Sequence, residues 1–195
     1  MEIQPVILQG ERVRLEPLAM DHVDALCEVA FDEELWRVAL QPLRTRDDVA
    51  QYVRNALDLH QKGTALPFAT IAISSQKVVG STRFGNIDSA NKRVEIGWSW
   101  LGKQWQRTGL NTEAKFLMLR HAFEEWKCIR VEFKTDVLNE QSRRAILRLG
   151  AKEEGIFRKH AITSGGRIRN SVYYSILDDE WSNIKQHFAT HLLRK

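Results

Sequence analysis

Apolar and polar residues follow two spacings along this chain, and the spacing changes from one segment to the next. Residues 11–17 alternate, with Val13 and Leu15 between charged neighbours, which is typical of a half-exposed strand. Residues 110–126 repeat apolar positions at helical spacing instead. Taken over the whole chain, the spacing predicts strands at 11–17, 68–73, 77–84, 94–101, 129–137, 152–163 and 167–177, and helices at 22–31, 45–62, 110–126, 140–149 and 178–193.

Capping and turn residues mark where several of these elements begin and end. Asp21 is placed to cap the first helix, and Thr45 followed by Asp48 has the spacing of a capping box. The run Ser164-Gly-Gly166 is typical of a hairpin turn. A hairpin followed by a strand–helix–strand unit combines antiparallel and parallel pairing. The sequence therefore predicts a mixed α/β fold, with a central mixed sheet flanked by helices.

Length and composition fit one domain. The 195 residues, 43% of them hydrophobic, are predicted to form a single domain over 1–195, with its core at about 7–180 and a C-terminal helix at about 178–193. The net charge of +4 is dispersed, which suits an anionic cofactor and does not favour a nucleic-acid partner. The N-terminus lacks a basic flank and an apolar signal core, and no apolar run reaches the length of a membrane span. A cytoplasmic protein without a membrane partner is expected.

The histidines and cysteines do not predict further chemistry. His187 and His191 have the i, i+4 spacing of zinc ligands, but no nearby acid or cysteine completes a set, so no metal is expected. Cys27 and Cys128 lie inside apolar runs, where reduced and buried thiols are expected rather than nucleophiles.

The connection between the strand at 94–101 and the helix that follows it carries the clearest chemical signal. The first turn of a helix leaves N–H groups unpaired, and the helix dipole adds positive charge there, so such a junction binds phosphates well. Gly109 allows close approach of a ligand to the backbone. The loop lacks the motifs of a nucleotide-hydrolysing P-loop and of a dinucleotide site, and a simple connection remains an alternative. The candidate residues are Gln106, Arg107, Thr108, Gly109, Leu110, Asn111 and Thr112.

Two motifs resemble the Gcn5-related N-acetyltransferase (GNAT) family. The first, Gln106-Arg-Thr-Gly109-Leu-Asn111, is similar to its acyl-coenzyme A motif, with Asn111 where that family has Gly or Ala. The second is the stretch that runs from Asn139-Glu-Gln-Ser142 through Leu-Gly-Ala to Glu154-Gly155. The resemblance covers residues 7–180 and is greatest to the branch of ribosomal-protein N-terminal acetyltransferases.

What the resemblance implies is acyl transfer from acetyl-coenzyme A, a co-substrate used without a metal, to a primary amine. The loop would hold the diphosphate, and the strand edge at Trp98, Trp100 and Leu101 would pair with the pantetheine arm. Asn139 would bond pantetheine, although an ordinary helix cap explains it equally well. Ser142 would protonate or bond the leaving thiolate, and Arg143 with Arg144 would pair with the ribose phosphate.

The general base and the acceptor pocket are less clearly marked. Glu95 precedes the thioester strand and can act through water, but it is also expected to pair with a nearby arginine. His160 lies where related ribosomal enzymes carry a glutamate, and its alternative is a hydrogen-bonded strand histidine. Trp36 and Phe84 are predicted to line the acceptor pocket, with core packing as the alternative.

Several questions of function stay open at the sequence level. The acceptor is either a peptide N-terminus or a small amine, and the acyl group is acetyl or, with an arginine near the thioester, succinyl. A non-catalytic acyl-coenzyme A sensor is the alternative to an enzyme. Direct attack of the amine is expected rather than an acyl-enzyme. A homodimer is predicted through the last hairpin and the final helix.

Overall fold

The computed structural model describes residues 1–193, so the last two residues of the predicted 1–195 domain lie outside the described part. Its centre is one eight-stranded sheet in the order β1-β2-β3-β4-β5-β6-β8-β7. Among the strand pairs of the described residues only β5–β6 is parallel, so the sheet is mixed, as predicted. The strands are β1 Leu8–Gln9, β2 Val13–Pro17, β3 Leu66–Ala72, β4 Lys77–Asp88, β5 Arg93–Leu101, β6 Arg130–Asp136, β7 Lys152–Ile162 and β8 Ile168–Leu177.

Within residues 1–193, five α-helices cover the two faces of this sheet. Helices α1 and α2 pack on one face, called the α1/α2 face below, over Ala69 and Ile71 of β3. Helix α3 packs on the opposite face, called the α3 face, over Phe68, Phe84 and Ile96. The helices are α1 Val23–Ala30, α2 Arg46–Gln61, α3 Leu110–Arg120, α4 Glu140–Arg148 and α5 Trp181–His187.

The helix ends agree with the local signals in part. The capping box at α2 is present, since Asp48 N–H donates to Thr45 Oγ1 over 3.1 Å and Thr45 N–H donates to Asp48 Oδ2 over 2.9 Å. The predicted Asp21 cap is wrong, because Asp21 lies within a 3-10 turn and α1 begins at Val23 without a side-chain cap. Helices α3 and α5 are shorter than predicted and each continues as a π-helical turn.

Strands β5 and β6 pair only at their beginnings. The parallel register joins Arg93 to Arg130, Val94 to Val131 and Glu95 to Glu132, and then stops. Trp98 has φ +50° and lies at a bulge against β4, which bends β5 beyond this point. From residue 96 to residue 101, β5 has no β6 partner within the described chain, so a cleft opens in the middle of the sheet.

None of the helices within residues 1–193 is both long and apolar enough to span a membrane. That same part of the chain holds no group of three or more His, Cys, Asp or Glu residues arranged to bind a metal ion.

Candidate active site

The phosphate-type loop has left-handed backbone at two positions just before α3. Arg107 has φ +60° and Gly109 has φ +87°, and α3 begins at Leu110 with no side-chain cap. Left-handed residues before a helix turn successive N–H groups toward one side and form an anion-binding concavity. The first-turn N–H groups of α3 face the same place and add the helix dipole. The loop is therefore a candidate anion site.

Arg12 also lies at this helix start, which sequence reasoning missed. A Cβ added to Gly109 would lie 2.9 Å from Arg12 Nη1. Glu113 in the first turn of α3 holds the segment there, because its carboxylate accepts from the N–H groups of Glu11, Arg12 and Val13 over 3.0, 2.8 and 2.8 Å. Arg12 is 101 residues from Glu113 along the chain, and no local pattern connects it to the loop.

Most of the predicted polar side chains in the loop bind other parts of the protein. Gln106 donates to the Leu101 carbonyl over 3.2 Å and accepts from Gln141 over 3.0 Å. The Thr108 hydroxyl donates to the Trp105 carbonyl. Thr112 Oγ1 accepts a hydrogen bond from Arg148 Nη2 over 2.7 Å. Arg107 is exposed and Asn111 is half-buried. A ligand here would therefore meet backbone N–H groups more than these hydroxyls and amides, and Leu110 contributes through its N–H.

The open edge of β5 carries the strand residues predicted for pantetheine. Trp98 lies in the bulge, and its carbonyl accepts from the Tyr52 hydroxyl over 3.2 Å. The Trp100 ring lies on the α1/α2 face, 5.3 Å from the Trp36 ring centroid, while Leu101 is buried in the core on the α3 face. Contact with a pantetheine arm would therefore come from the backbone of this stretch and not from the indole rings.

The start of α4 lies beside the loop, because Gln141 bonds Gln106. Asn139 caps the helix, its Oδ1 accepting from the Ser142 N–H over 3.0 Å, which leaves its amide NH₂ available to a ligand. Ser142 is half-buried in the first turn of α4. The cap and the ligand role predicted for Asn139 are compatible in this geometry.

Arg143 forms hydrogen bonds within the protein, whereas the resemblance implied that it would pair with the ribose phosphate. Its guanidinium donates to the Tyr174 hydroxyl over 3.1 Å, to the Val137 carbonyl over 3.4 Å and to Glu153 over 3.4 Å. It ties α4 to β7 and β8, so we leave it out of the proposed cofactor contacts. Arg144 is exposed and pairs with Glu140 one turn earlier.

Glu95 and His160 lie on one face of the sheet and are linked by a row of contacts. Glu95 occupies the last β5–β6 register, is 3% exposed, and accepts from Asn86 Nδ2 over 2.8 Å and Lys134 Nζ over 3.3 Å. Its cationic partner is thus a lysine and not the expected arginine. Lys134 Nζ lies 5.5 Å from the Tyr173 ring, and Tyr173 lies 5.7 Å from the ring of His160. His160 is exposed, and its Nδ1 bonds the Ser171 hydroxyl over 3.0 Å.

The segment between α1 and α2 and the β7–β8 turn meet across the α1/α2 face. Ser164 N–H donates to the Leu40 carbonyl over 2.9 Å, and Arg167 reaches the Val38 carbonyl over 3.5 Å. Trp36 in this segment lines a surface cleft of ≈ 390 Å³. These contacts place the α1–α2 segment and the β7–β8 turn over the side of the sheet on which Glu95 lies.

Phe84 does not line this cleft. It lies on the opposite face with no exposed surface, 4.7 Å from the Trp126 ring centroid and 6.0 Å from that of Phe68. The alternation along β4 explains the placement, because Arg83 and Gly85 take the α1/α2 face and Phe84 must take the other. It has the core role that was the alternative at the sequence level.

The open sheet, the anion-binding loop and the walled α1/α2 face define the class of an acyl-coenzyme A-dependent transferase. Residues 12–152 match the family described as acetyltransferase (GNAT) domain. The chain therefore belongs to the GNAT family and is an N-acetyltransferase of that family.

Three known proteins illustrate the similarity. The Bacillus subtilis protein named "Putative ribosomal N-acetyltransferase YdaF" is 36% identical over 106 residues, which cover 54% of this chain and 57% of that protein. A solved GCN5-related N-acetyltransferase from Brucella melitensis is 34% identical with a TM-score of 0.87, covering 95% of this chain and 85% of its own. The solved RimL ribosomal L7/L12 alpha-N-protein acetyltransferase, 20% identical over 89% of this chain and 95% of its own, has a TM-score of 0.79 and is similar in fold.

Proposed function

We propose that this protein transfers an acetyl group from acetyl-coenzyme A to a primary amine, by direct attack of the amine within a ternary complex. The observation that carries the proposal is the divergence of β5 from β6 beyond Glu95, next to the anion-binding loop before α3. A strand with one unpaired edge can bind an arm that carries two amides as an added strand. The loop lies at the end of that same strand, where the diphosphate of the same molecule would bind.

The residues on the cofactor side would have two roles, which are to bind the cofactor and to stabilise the leaving group. The N–H groups at the start of α3, with Arg12 beside them, would hold the diphosphate. The unpaired N–H groups of residues 96–101 would bond pantetheine and polarise the thioester carbonyl. The Asn139 amide and the Ser142 hydroxyl would reach the arm from α4, and Ser142 would donate to the departing sulfur.

The α1/α2 face would receive the amine. Glu95 is almost fully buried and would take the proton through a water, whereas exposed His160 would take it directly or through Tyr173. Trp36 and the segment around it would form the outer wall. The acceptor is either a small amine or a peptide N-terminus, and the name of YdaF and the fold shared with RimL favour testing ribosomal-protein N-termini first.

The two cysteines support direct transfer without an acyl-enzyme. Burial raises the pKa of the Cys128 thiol to about 11, and burial also raises the pKa of Cys27. A thiol must ionise to act as a nucleophile, so both are poor candidates near neutral pH.

A screen of amines with acetyl-coenzyme A tests the proposal, with the release of free coenzyme A thiol as the measure of turnover. We expect turnover of at least one acceptor, and the acidic limb of its rate–pH profile should disappear in either Glu95→Gln or His160→Gln. If coenzyme A binds but no amine in a panel of ribosomal-protein N-termini, amino acids and polyamines is acetylated, the chain is a binding module and the proposal fails.

A further inference from the structure

Arg83 is a buried cation without an anionic partner. Its side chain lies on the α1/α2 face of β4, and the residue is 2% exposed. The Nε atom is buried with no hydrogen-bond partner within residues 1–193, and none of the ion pairs in that part of the chain includes Arg83. Burying a guanidinium without a carboxylate or a full set of acceptors is strongly unfavourable. Such a residue therefore points to a partner that is not part of this chain.

Three other buried or half-buried cations in this part of the protein either have an acidic partner or can become neutral. Lys134 pairs with Glu95, and Arg169 approaches Asp136 and donates to Ser171 over 3.0 Å. Burial lowers the pKa of Lys115 to about 7, so that amine can become neutral. A guanidinium, unlike this amine, has no neutral form at any ordinary pH.

Two aromatic rings hold the guanidinium in place. Arg83 Cζ lies 4.9 Å from the Tyr52 ring centroid and 5.1 Å from that of Trp98. Contact with ring faces uses the plane of a guanidinium and leaves its N–H edges available for a planar, bidentate carboxylate. The Trp98 ring occupies the space above Gly85, where an added Cβ would collide with a ring carbon, so Trp98 depends on this glycine for its position.

Arg83 also lies at the point where the cleft opens. It pairs with Gly97, two residues beyond Glu95 on β5, and the register puts Arg83 and Glu95 on the same face. Gly97 presents no side chain there. A substrate group that enters beside Glu95 would meet Arg83 next along the unpaired stretch of β5.

We propose that Arg83 binds a substrate carboxylate at the opening of the cleft. This inference rests on the proposed transfer reaction and names the substrate class for it. The carboxylate has two possible sources, namely the free end of a dicarboxylic acyl group such as succinyl, or a carboxylate on the amine acceptor, as in an amino acid. Both would place an anion beside the guanidinium while the reacting atoms lie nearer Glu95.

Paired substrates that differ only in this carboxylate test the proposal. The donors are acetyl- and succinyl-coenzyme A, and the acceptors are an amino acid and its amide. We expect the wild type to favour the charged member of one pair by tenfold or more in kcat/KM, as a charge-assisted bidentate pair allows. Arg83→Met should remove that preference and leave the neutral substrate within about threefold. Arg54→Met, on the exposed side of α2, is the matched control and should keep the preference.

Binding measured by calorimetry separates this inference from the proposed function. If no amine is acetylated but succinyl-coenzyme A, or the amino acid with coenzyme A present, binds tenfold more tightly than its neutral counterpart only when Arg83 is intact, the transfer reaction fails and the carboxylate site stands. If the wild type shows no preference in either pair, or Arg83→Met changes both members equally, the carboxylate site is wrong. Should Arg83→Met fail to fold, Arg83→Lys provides the same comparison, because a lysine retains the charge and loses the bidentate geometry.

Discussion

At the scale of single residues, the clearest departure from ordinary behaviour is Lys115. It lies on α3 facing the sheet and is buried, and its Nζ donates to the Thr82 hydroxyl over 2.9 Å and to the Ser99 hydroxyl. No carboxylate within the described residues neutralises it, and burial alone lowers its pKa to about 7. The unfolded chain, with an ordinary lysine, binds this proton far more tightly than the folded protein does.

This difference predicts a specific pH dependence of stability. Below about pH 7, Lys115 is protonated in both the folded and the unfolded state. Folding then carries the full cost of burying the charge, which is roughly 3–5 kcal/mol at about 1.4 kcal/mol per pKa unit. As pH rises from about 7 to about 10, only the unfolded state retains the proton, so the wild type should gain stability relative to Lys115→Met. Urea unfolding of both proteins at about pH 6.5 and 9.5 measures the effect, and a constant difference between them would contradict it.

Ser142 provides a second test at this scale. Ser142→Ala removes a hydroxyl that would bond the departing sulfur, and we expect turnover to fall about tenfold to a hundredfold. Coenzyme A affinity should hardly change, because in the proposed site the loop and β5 would supply most of the binding. Ser182→Ala is the matched control, since Ser182 also lies in a helix first turn but on the exposed side of α5. Equal turnover for both variants would remove Ser142 from the mechanism.

At the scale of elements, the decisive unit is β5, its loop and α3. The left-handed residues Arg107 and Gly109 aim the backbone, and Glu113 attaches the start of β2 so that Arg12 lies over the helix start. The Glu113 carboxylate accepts three hydrogen bonds from this segment, which makes the attachment strong. The proposed phosphate site is therefore assembled from two distant parts of the chain.

Gly109→Asp tests this unit, because it adds both a Cβ against Arg12 and a negative charge where the phosphate would bind. Coenzyme A affinity should fall about tenfold or more, or roughly 1.4 kcal/mol. A side chain at a positive φ also strains the backbone. Gly63→Asp controls for that strain, because Gly63 has φ +69° with nothing within 4 Å of an added Cβ. Equal coenzyme A affinity in the two folded variants would exclude the loop as the phosphate site.

At the scale of the whole molecule, the surfaces available for self-association differ from those the sequence suggested. Ile184 and Phe188 of the final segment are buried in the core of this chain and Leu192 and Leu193 are half-buried, whereas the hairpin carries large exposed apolar side chains. Its exposed apolar side chains are Ile156, Phe157, Ile162 and Ile168. Large exposed apolar residues grouped on one hairpin are typical of interaction sites.

We therefore expect the homodimer, which remains a prediction, to form through β7 and β8. Light scattering should give a mass that rises with concentration, and Ile162→Lys should shift it toward the monomer because Ile162 is 73% exposed. Ile87→Lys, outside the hairpin, is a suitable comparison. A mass of one chain at all concentrations in the wild type would refute the dimer.

Much of the fold could be predicted because its signals are local. The Thr45–Asp48 capping box, the hairpin turn before Arg167 and the alternation along β6 each depend on residues a few positions apart. The order of these elements was enough for a mixed sheet, which the structure confirms. The errors fall where local signals compete, as at Asp21, whose segment forms a 3-10 turn before the helix.

The sequence by itself determined the loop before α3, the cap at Asn139 and the family, because glycine and Asx residues act on their own backbone and the family motifs are contiguous. Only the tertiary structure decided that β5 leaves β6 after Glu95, that Arg12 reaches Gly109 and that Phe84 faces the core. It also decided that Arg83 has aromatic neighbours and no carboxylate. These outcomes depend on strand register and on contacts between distant segments, where a shift of one residue moves every side chain to the other face.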